Sequence, residues 1–254
     1  GNSKVVLAWD ANTESDLASY KVYGGTSASP TTVLETVTSG QTYTHSSLTN
    51  GTKYYYRISA VDNGGNESDK TSDVSAVPTL QKYAVKKDGS GDYITIEAAI
   101  DATTNGDTVY VSAGTYNEHV NFNSKNIHLI GEDSSNTIID AANLGTGAVQ
   151  MLDGLSNFSP TLKNFTIKGA SEQGGVAIKD YGAPLLENLK VTNNISIDKA
   201  GLPSELGQGD GGGINIYNAN AIIRNSYIGQ NETIKYGTIK VAQSTVTIQN
   251  CIIT

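Results

Sequence analysis

The chain is 254 residues long, enough for one large or two smaller domains, with 17% charged residues and a formal net charge of −8. That acidity argues against a phosphate-binding face and hence against a nucleic-acid partner. No apolar run approaches the roughly 20 residues that span a bilayer, and a single cysteine, Cys251, excludes a disulfide framework and a cysteine-based metal site.

Residues 1–79 read as short alternating strands. "KVVLAWD" places Val5, Leu7 and Trp9 on one face, "ASYKVYGG" places Tyr20 and Val22 on one face, and "TKYYYRISAVD" alternates Tyr54, Tyr56, Ile58 and Ala60 with polar partners. Period-2 alternation with turn signals between the runs predicts an antiparallel sandwich. With Trp9 in an early strand, and Leu48 followed by "TNGTKY" with Tyr54 opening the long strand, the segment resembles a fibronectin type III domain. The resemblance implies that Tyr54 is the tyrosine corner and Leu48 the plug before it. A spacer or stabilising module is the plain expectation. A carbohydrate surface on exposed tyrosines such as Tyr23 and Tyr55 is the alternative. "VPTLQK" reads as a linker, placing residues 80–82 between the domains.

Residues 83–254 repeat one line. "TLKNFTIKG", "PLLENLKVTNN", "AIIRNSYIGQN" and "VTIQNCIIT" align on Asn164, Asn188, Asn225 and Asn250, spaced 24, 37 and 25 residues apart, with Asn126 in "KNIHLIG" opening the series. A period in the twenties marks a solenoid. Apolar residues precede each Asn by two places, and apolar residues one and three places after it show the alternation restarting, except that Ser226 breaks the first of these places in the third rung while Ile228 keeps the second. A strand therefore runs in, the Asn sits at a bend, and a new strand leaves. Asn suits a bend because it tolerates left-handed backbone, and Asn side chains stacked at one bend form an amide ladder. "AVQML", "GVAIKD", "GINIYN" and "GTIKVA" supply a further strand per rung. The expected fold is all-β: the antiparallel sandwich followed by a right-handed parallel β-helix, its hand set by the rule for parallel crossovers.

The segment "DGSGDY", "TIEAAIDA", "GDTVYV", "AGTYNE", "KNIHLIGE" resembles the entry of pectin-lyase-like β-helix proteins, above all pectin methylesterases and pectate lyases. The resemblance implies that "TIEAAIDA" is a short helix closing the N-terminal end, with Thr95 as N-cap and Ile96, Ala99 and Ile100 facing inward. The chain stops inside a rung, so a C-terminally incomplete helix with an open last rung is expected. The catalytic lines of methylesterases ("GYQDTLY"-like and "DFIFG"-like) are absent from residues 83–254, which argues against that activity.

In pectate-lyase-like proteins the sugar lies along the outer face of the first strand of each rung. That resemblance implies substrate-binding roles for outward Lys179, Asn215, Tyr217 and Lys240. The interval from Asn188 to Asn225 is about thirteen residues longer than its neighbours, giving a long loop between Asn193 and Gly211 that carries Asp198, Glu205 and Asp210 as candidate Ca²⁺ ligands. No two acids are expected to share an aligned outward slot on adjacent rungs, so no glycosidase pair is anticipated. His45, His119 and His128 are read as surface or turn residues, and Arg224 as the surface partner of Glu187. The expected function is binding of an extracellular polysaccharide by a secreted or cell-surface protein, with lyase-like cleavage as its enzymatic form. The alternative is a non-catalytic structural or adhesive protein that self-associates through the open rung.

Overall fold

The computed structural model describes residues 2–145, 147–171, 173–197, 211–233 and 237–254. Two units, Gly1–Gln81 and Lys82–Thr254, divide the chain. Lys82, read above as linker, opens the first strand of the second unit.

In the first unit, Val5–Ala8 pairs antiparallel with Thr42–His45, and a four-stranded antiparallel sheet runs Val33–Val37, Leu17–Gly25, Tyr54–Asp62, Val74–Ala76. The two sheets share one apolar core built from Val5, Leu7, Val22, Leu48 and Tyr56, with Trp9 and Tyr54 packed against it. Alternation explains most of these inward positions. Tyr23 lies on the opposite face from Val22 and pairs with Arg57 in unbroken register. Tyr23, expected on the surface, is nevertheless only 4% exposed, because Glu67 and the Lys70 ammonium, 4.5 Å from its ring centre, cover it. Its hydroxyl donates to Glu67, which also accepts from Ser59 Oγ at 2.7 Å and meets Lys21 Nζ at 2.8 Å. The Lys21 ammonium, then the Tyr23 and Ser59 hydroxyls, hold the Glu67 carboxyl down to about 2. Tyr55, the other expected surface tyrosine, is half-buried with the Lys53 ammonium 5.0 Å from its ring centre.

The second unit is a right-handed parallel β-helix. Each rung contributes a strand to three parallel sheets. The first sheet stacks Val120–Asn121, Val149–Met151, Val176–Lys179, Ile214–Tyr217 and Ile239–Ala242. The second sheet has seven strands, beginning at Lys82–Val85 and ending at Thr247–Gln249, and the third has six, beginning at Gly114–Tyr116 and ending at Ile252–Ile253. Every strand pairs with the one a rung away, so inward side chains form columns. Val109, Leu129, Leu162, Leu186 and Ile223 are successive register partners, and all are fully buried. Burying one branched side chain of this kind contributes about 1.5–3 kcal/mol.

The N-terminal end is closed by the helix Ile96–Ala102, whose Ile96, Ala99 and Ile100 enter the core. Thr95 Oγ1 accepts from Ala98 N at 3.4 Å, and the Glu118 carboxylate accepts from the Ile96 and Glu97 amides at 3.1 and 3.0 Å. These three acceptors satisfy three of the amides that the first turn leaves unpaired. In the last rung the apolar positions lie open: Ile252 is 62% exposed and Ile253 45%.

The bend between second and third sheets carries Asn164, Asn188, Asn225 and Asn250 at φ 64°, 53°, 53° and 52°. Asn188 Nδ2 donates to Asn164 Oδ1 at 2.9 Å, Asn250 Nδ2 to Asn225 Oδ1 at 3.4 Å, and Asn164 Nδ2 to Gly131 O at 3.0 Å. Asn126 does not belong to this column. Register continues the ladder to Gly131, where a Cβ would meet Asn164 O at 2.2 Å. Asn126 Oδ1 instead accepts from Ser159 N at 3.0 Å. A second, internal pair lies past the third sheet: fully buried Asn194 donates to Asn231 Oδ1 at 3.0 Å and accepts from Ala170 N at 3.1 Å.

Two expectations follow. Asn188→Ala places a Cβ-only residue at left-handed φ, costing about 1–2 kcal/mol, and removes a ladder bond worth about 1 kcal/mol; Asn188→Gly loses only the latter. Chemical unfolding should rank wild type above Asn188→Gly above Asn188→Ala, and equal loss in the two variants would show that left-handed strain is not the cause. For Glu67, a folded value below the unfolded one gives stability that is full above about pH 5 and is lost as pH falls toward 2. The melting-temperature gap between wild type and Glu67→Gln, worth about 1 kcal/mol at neutral pH for so exposed a network, should therefore close by pH 2; a gap independent of pH would refute it.

Candidate functional site

As four of the five first-sheet strands end, the chain turns toward the second sheet through one left-handed residue; after Val120–Asn121 there are two, Asn123 and Ser124. Asp153, Asp180, Asn218 and Gln243 occupy this place at φ 55°, 61°, 48° and 51°. Register pairs Met151 with Ile178, Ile178 with Ile216 and Ile216 with Val241, so these residues, two places further on, form one column across four rungs. The column lies along an open groove of about 500 Å³, also lined by Leu155, Ser156 and Asn220. Asn218 Nδ2 donates to Asp180 Oδ1 at 2.6 Å. Lys179 Nζ lies 3.6 Å from Asp153 Oδ1 and 3.7 Å from Asp180 Oδ2. The two carboxylates thus sit on adjacent rungs, about 4.8 Å apart along the stacking axis. This corrects the expectation that no acids align.

Tyr181 forms the groove's support. It is 1% exposed, and its hydroxyl donates to Lys125 O at 3.3 Å. Burial, then the Asp153 charge, push that hydroxyl up to about 12. Gly154 packs against the ring: a Cβ there would meet Tyr181 carbons at 2.5 Å. Gly182 is equally confined, with Ser156 O 2.3 Å from where its Cβ would stand.

The four expected substrate-binding residues fall into two register pairs on the first sheet. Lys179 pairs with Tyr217, beside the groove, and Asn215 pairs with Lys240 on the neighbouring column. Lys179, Tyr217 and Lys240 are half-buried. Asn215 departs from expectation. Its strand parity is outward, yet it is 3% exposed, because its amide accepts from Gly211 N at 2.6 Å and donates to Gly211 O at 3.0 Å and Gln173 O at 3.2 Å. It fixes the entry to its own strand rather than facing solvent. Asp198, Glu205 and Asp210 lie outside the described residues.

Among the described residues, no group of three or more His, Cys, Asp or Glu side chains could hold a metal ion. His119 Nδ1 contacts Gly147 O at 2.7 Å and His128 Nδ1 contacts Thr161 Oγ1 at 3.0 Å. Arg224 Nε and Lys163 Nζ both meet Glu187 at 2.8 Å, and the Lys163 bond, then the Arg224 bond, lower its carboxyl. Cys251, half-buried, packs against the core.

Comparison with known proteins gives partial matches. The Pectinesterase family model matches residues 82–168. An amylopullulanase of Thermoanaerobacter thermohydrosulfuricus is 40% identical over 83 residues, 32% of this chain and 5% of that protein. Chitinase A1 of Niallia circulans is 28% identical over 192 residues, 75% of this chain and 25% of that protein. The chain therefore spans a quarter or less of the length of these relatives. Among solved structures, the Yersinia enterocolitica Family 28 exopolygalacturonase aligns over 98% of this chain and 67% of its own, at 12% identity and a TM-score of 0.31. Pectate lyase Pel3 of Pectobacterium carotovorum aligns over 100% and 83%, at 13% identity and a TM-score of 0.28.

The packing beneath the groove is testable. Gly154→Ala forces a methyl against an anchored ring, and such overpacking costs about 1–3 kcal/mol. The variant should unfold at lower denaturant, and full wild-type stability would show that Tyr181 is free to move.

Proposed function

We propose that the β-helix unit binds an extracellular polysaccharide in the turn groove beside the first sheet. The observation that carries this reading is the groove itself: carboxylate and amide side chains repeated on successive rungs, with exposed Leu155 among them. Carboxylates accept from sugar hydroxyls, amides both donate and accept, and an apolar side chain meets the C–H face of a ring. The Pectinesterase match over residues 82–168 and the carbohydrate-enzyme names of the sequence relatives support a polysaccharide-related role. A secreted or surface location accords with such a ligand.

We also read the first unit as a fibronectin type III-type spacer. Tyr54 Oη accepts from Thr49 N at 3.1 Å, five residues back, and Leu48 is buried. A tyrosine hydroxyl bonded to upstream backbone is the corner motif of such sandwiches. The second reading is assembly of copies of the chain without glycan binding.

The full chain should be tested against polygalacturonate, methyl-esterified pectin, galactan, α-glucan and chitin oligomers, with and without Ca²⁺, while unsaturated product and sedimentation are followed in the same samples. Binding is expected, and Ser156→Trp, which fills the groove from an exposed position, should weaken it about tenfold or more, or 1.4 kcal/mol. Binding that is unchanged in this variant would place the site elsewhere. Concentration-dependent association without glycan binding would favour assembly.

A further inference from the structure

We infer that the glycan held in this groove is uncharged. The inference rests on the groove being the glycan site, and adds the ligand's charge. Among the described lining residues, Asp153 and Asp180 are the charged groups, and both are carboxylates; Leu155, Ser156, Asn218, Asn220 and Gln243 are neutral. The ammonium of Lys179 is adjacent, but it lies within 4 Å of both acids, at 3.6 and 3.7 Å. One cation against two anions leaves the site acidic, on a chain that is itself acidic at −8.

A polyuronate brings one negative charge per sugar to that surface. Like charges set side by side are repulsive and select against a partner. The carboxylate, amide and hydroxyl groups are instead suited to hydroxyl-rich ligands that carry no charge. The column repeats on four rungs about 4.8 Å apart, a spacing comparable to one sugar residue, so a chain laid across the rungs would meet Asp153, Asp180, Asn218 and Gln243 in turn. The Asp180–Asn218 bond of 2.6 Å holds two of these side chains in place before any ligand arrives.

The experiment compares galactan and α-glucan as uncharged probes with polygalacturonate of matched length, on the full chain, at low and at moderate salt. The expected result is binding of an uncharged probe at least about tenfold tighter than polygalacturonate. Salt should leave the uncharged probe unaffected and should improve the charged one, because repulsion is screened beyond a Debye length of about 10 Å at 0.1 M. Asp153→Asn with Asp180→Asn removes both carboxylates of the groove and should raise polygalacturonate affinity several-fold. The salt series on the wild-type protein carries the test if that double variant does not fold. Tighter binding of polygalacturonate by the wild type, or Ca²⁺-dependent binding that disappears in the double variant, overturns the inference and leaves the groove a glycan site. Binding of neither class overturns the reading of the groove itself.

Discussion

The constraint on which the β-helix unit depends is that every rung must turn in the same place. Parallel strands stacked about 4.8 Å apart leave no room for a turn that differs from those above and below. Most rungs therefore turn on a single left-handed residue, as Asn164, Asn188, Asn225 and Asn250 show at one corner and Asp153, Asp180, Asn218 and Gln243 at another. A left-handed residue ends one run of alternation and starts the next, so the corners also decide which side chains enter the core. The columns of Leu and Ile inside and the columns of Asn and Asp at the corners are two results of one requirement.

Ends of such a stack are its weak points, since a strand edge without a neighbour exposes unpaired backbone groups and apolar side chains alike. At the N-terminal end the helix Ile96–Ala102 covers the core, and its own free amides are taken up by Thr95 and Glu118. Glu118 comes from the next rung, so the cap is fastened to the coil it closes. Beside it, burial raises the Glu97 carboxyl, which accepts from the Asn121 amide. The first unit shelters Tyr23 on the face opposite its core, where Glu67 meets the tyrosine hydroxyl.

How much of this was legible in the sequence depended on how narrow each requirement is. The Asn ladder could be read because left-handed backbone and a ladder amide together admit almost nothing but Asn. The groove column has the same backbone but no continuous ladder, so it accepts Asp, Asn or Gln, and its members do not look alike. The signal was present in "VQMLD", "VAIKD", "INIYN" and "IKVAQ", each ending on the corner residue, but aligning them requires the register. Gly131 hid the first ladder position, because the close approach of Asn164 O demands the absence of a side chain. Tyr23 and Asn215 were misplaced because the groups that cover them, Glu67 for one and Gly211 with Gln173 for the other, are not set by strand parity. The long loop was legible as an insertion, while its acidic residues lie outside the described residues.

The difference between the two corners has an evolutionary consequence. Where a ladder amide is demanded, sequence is held fixed; where only the backbone conformation is demanded, residue chemistry is free to drift. Substitution at 153, 180, 218 or 243 changes the charge and hydrogen-bonding of the outer wall without touching an inward side chain. The chemistry of that outer column is thus set separately from the packing that makes the chain coil.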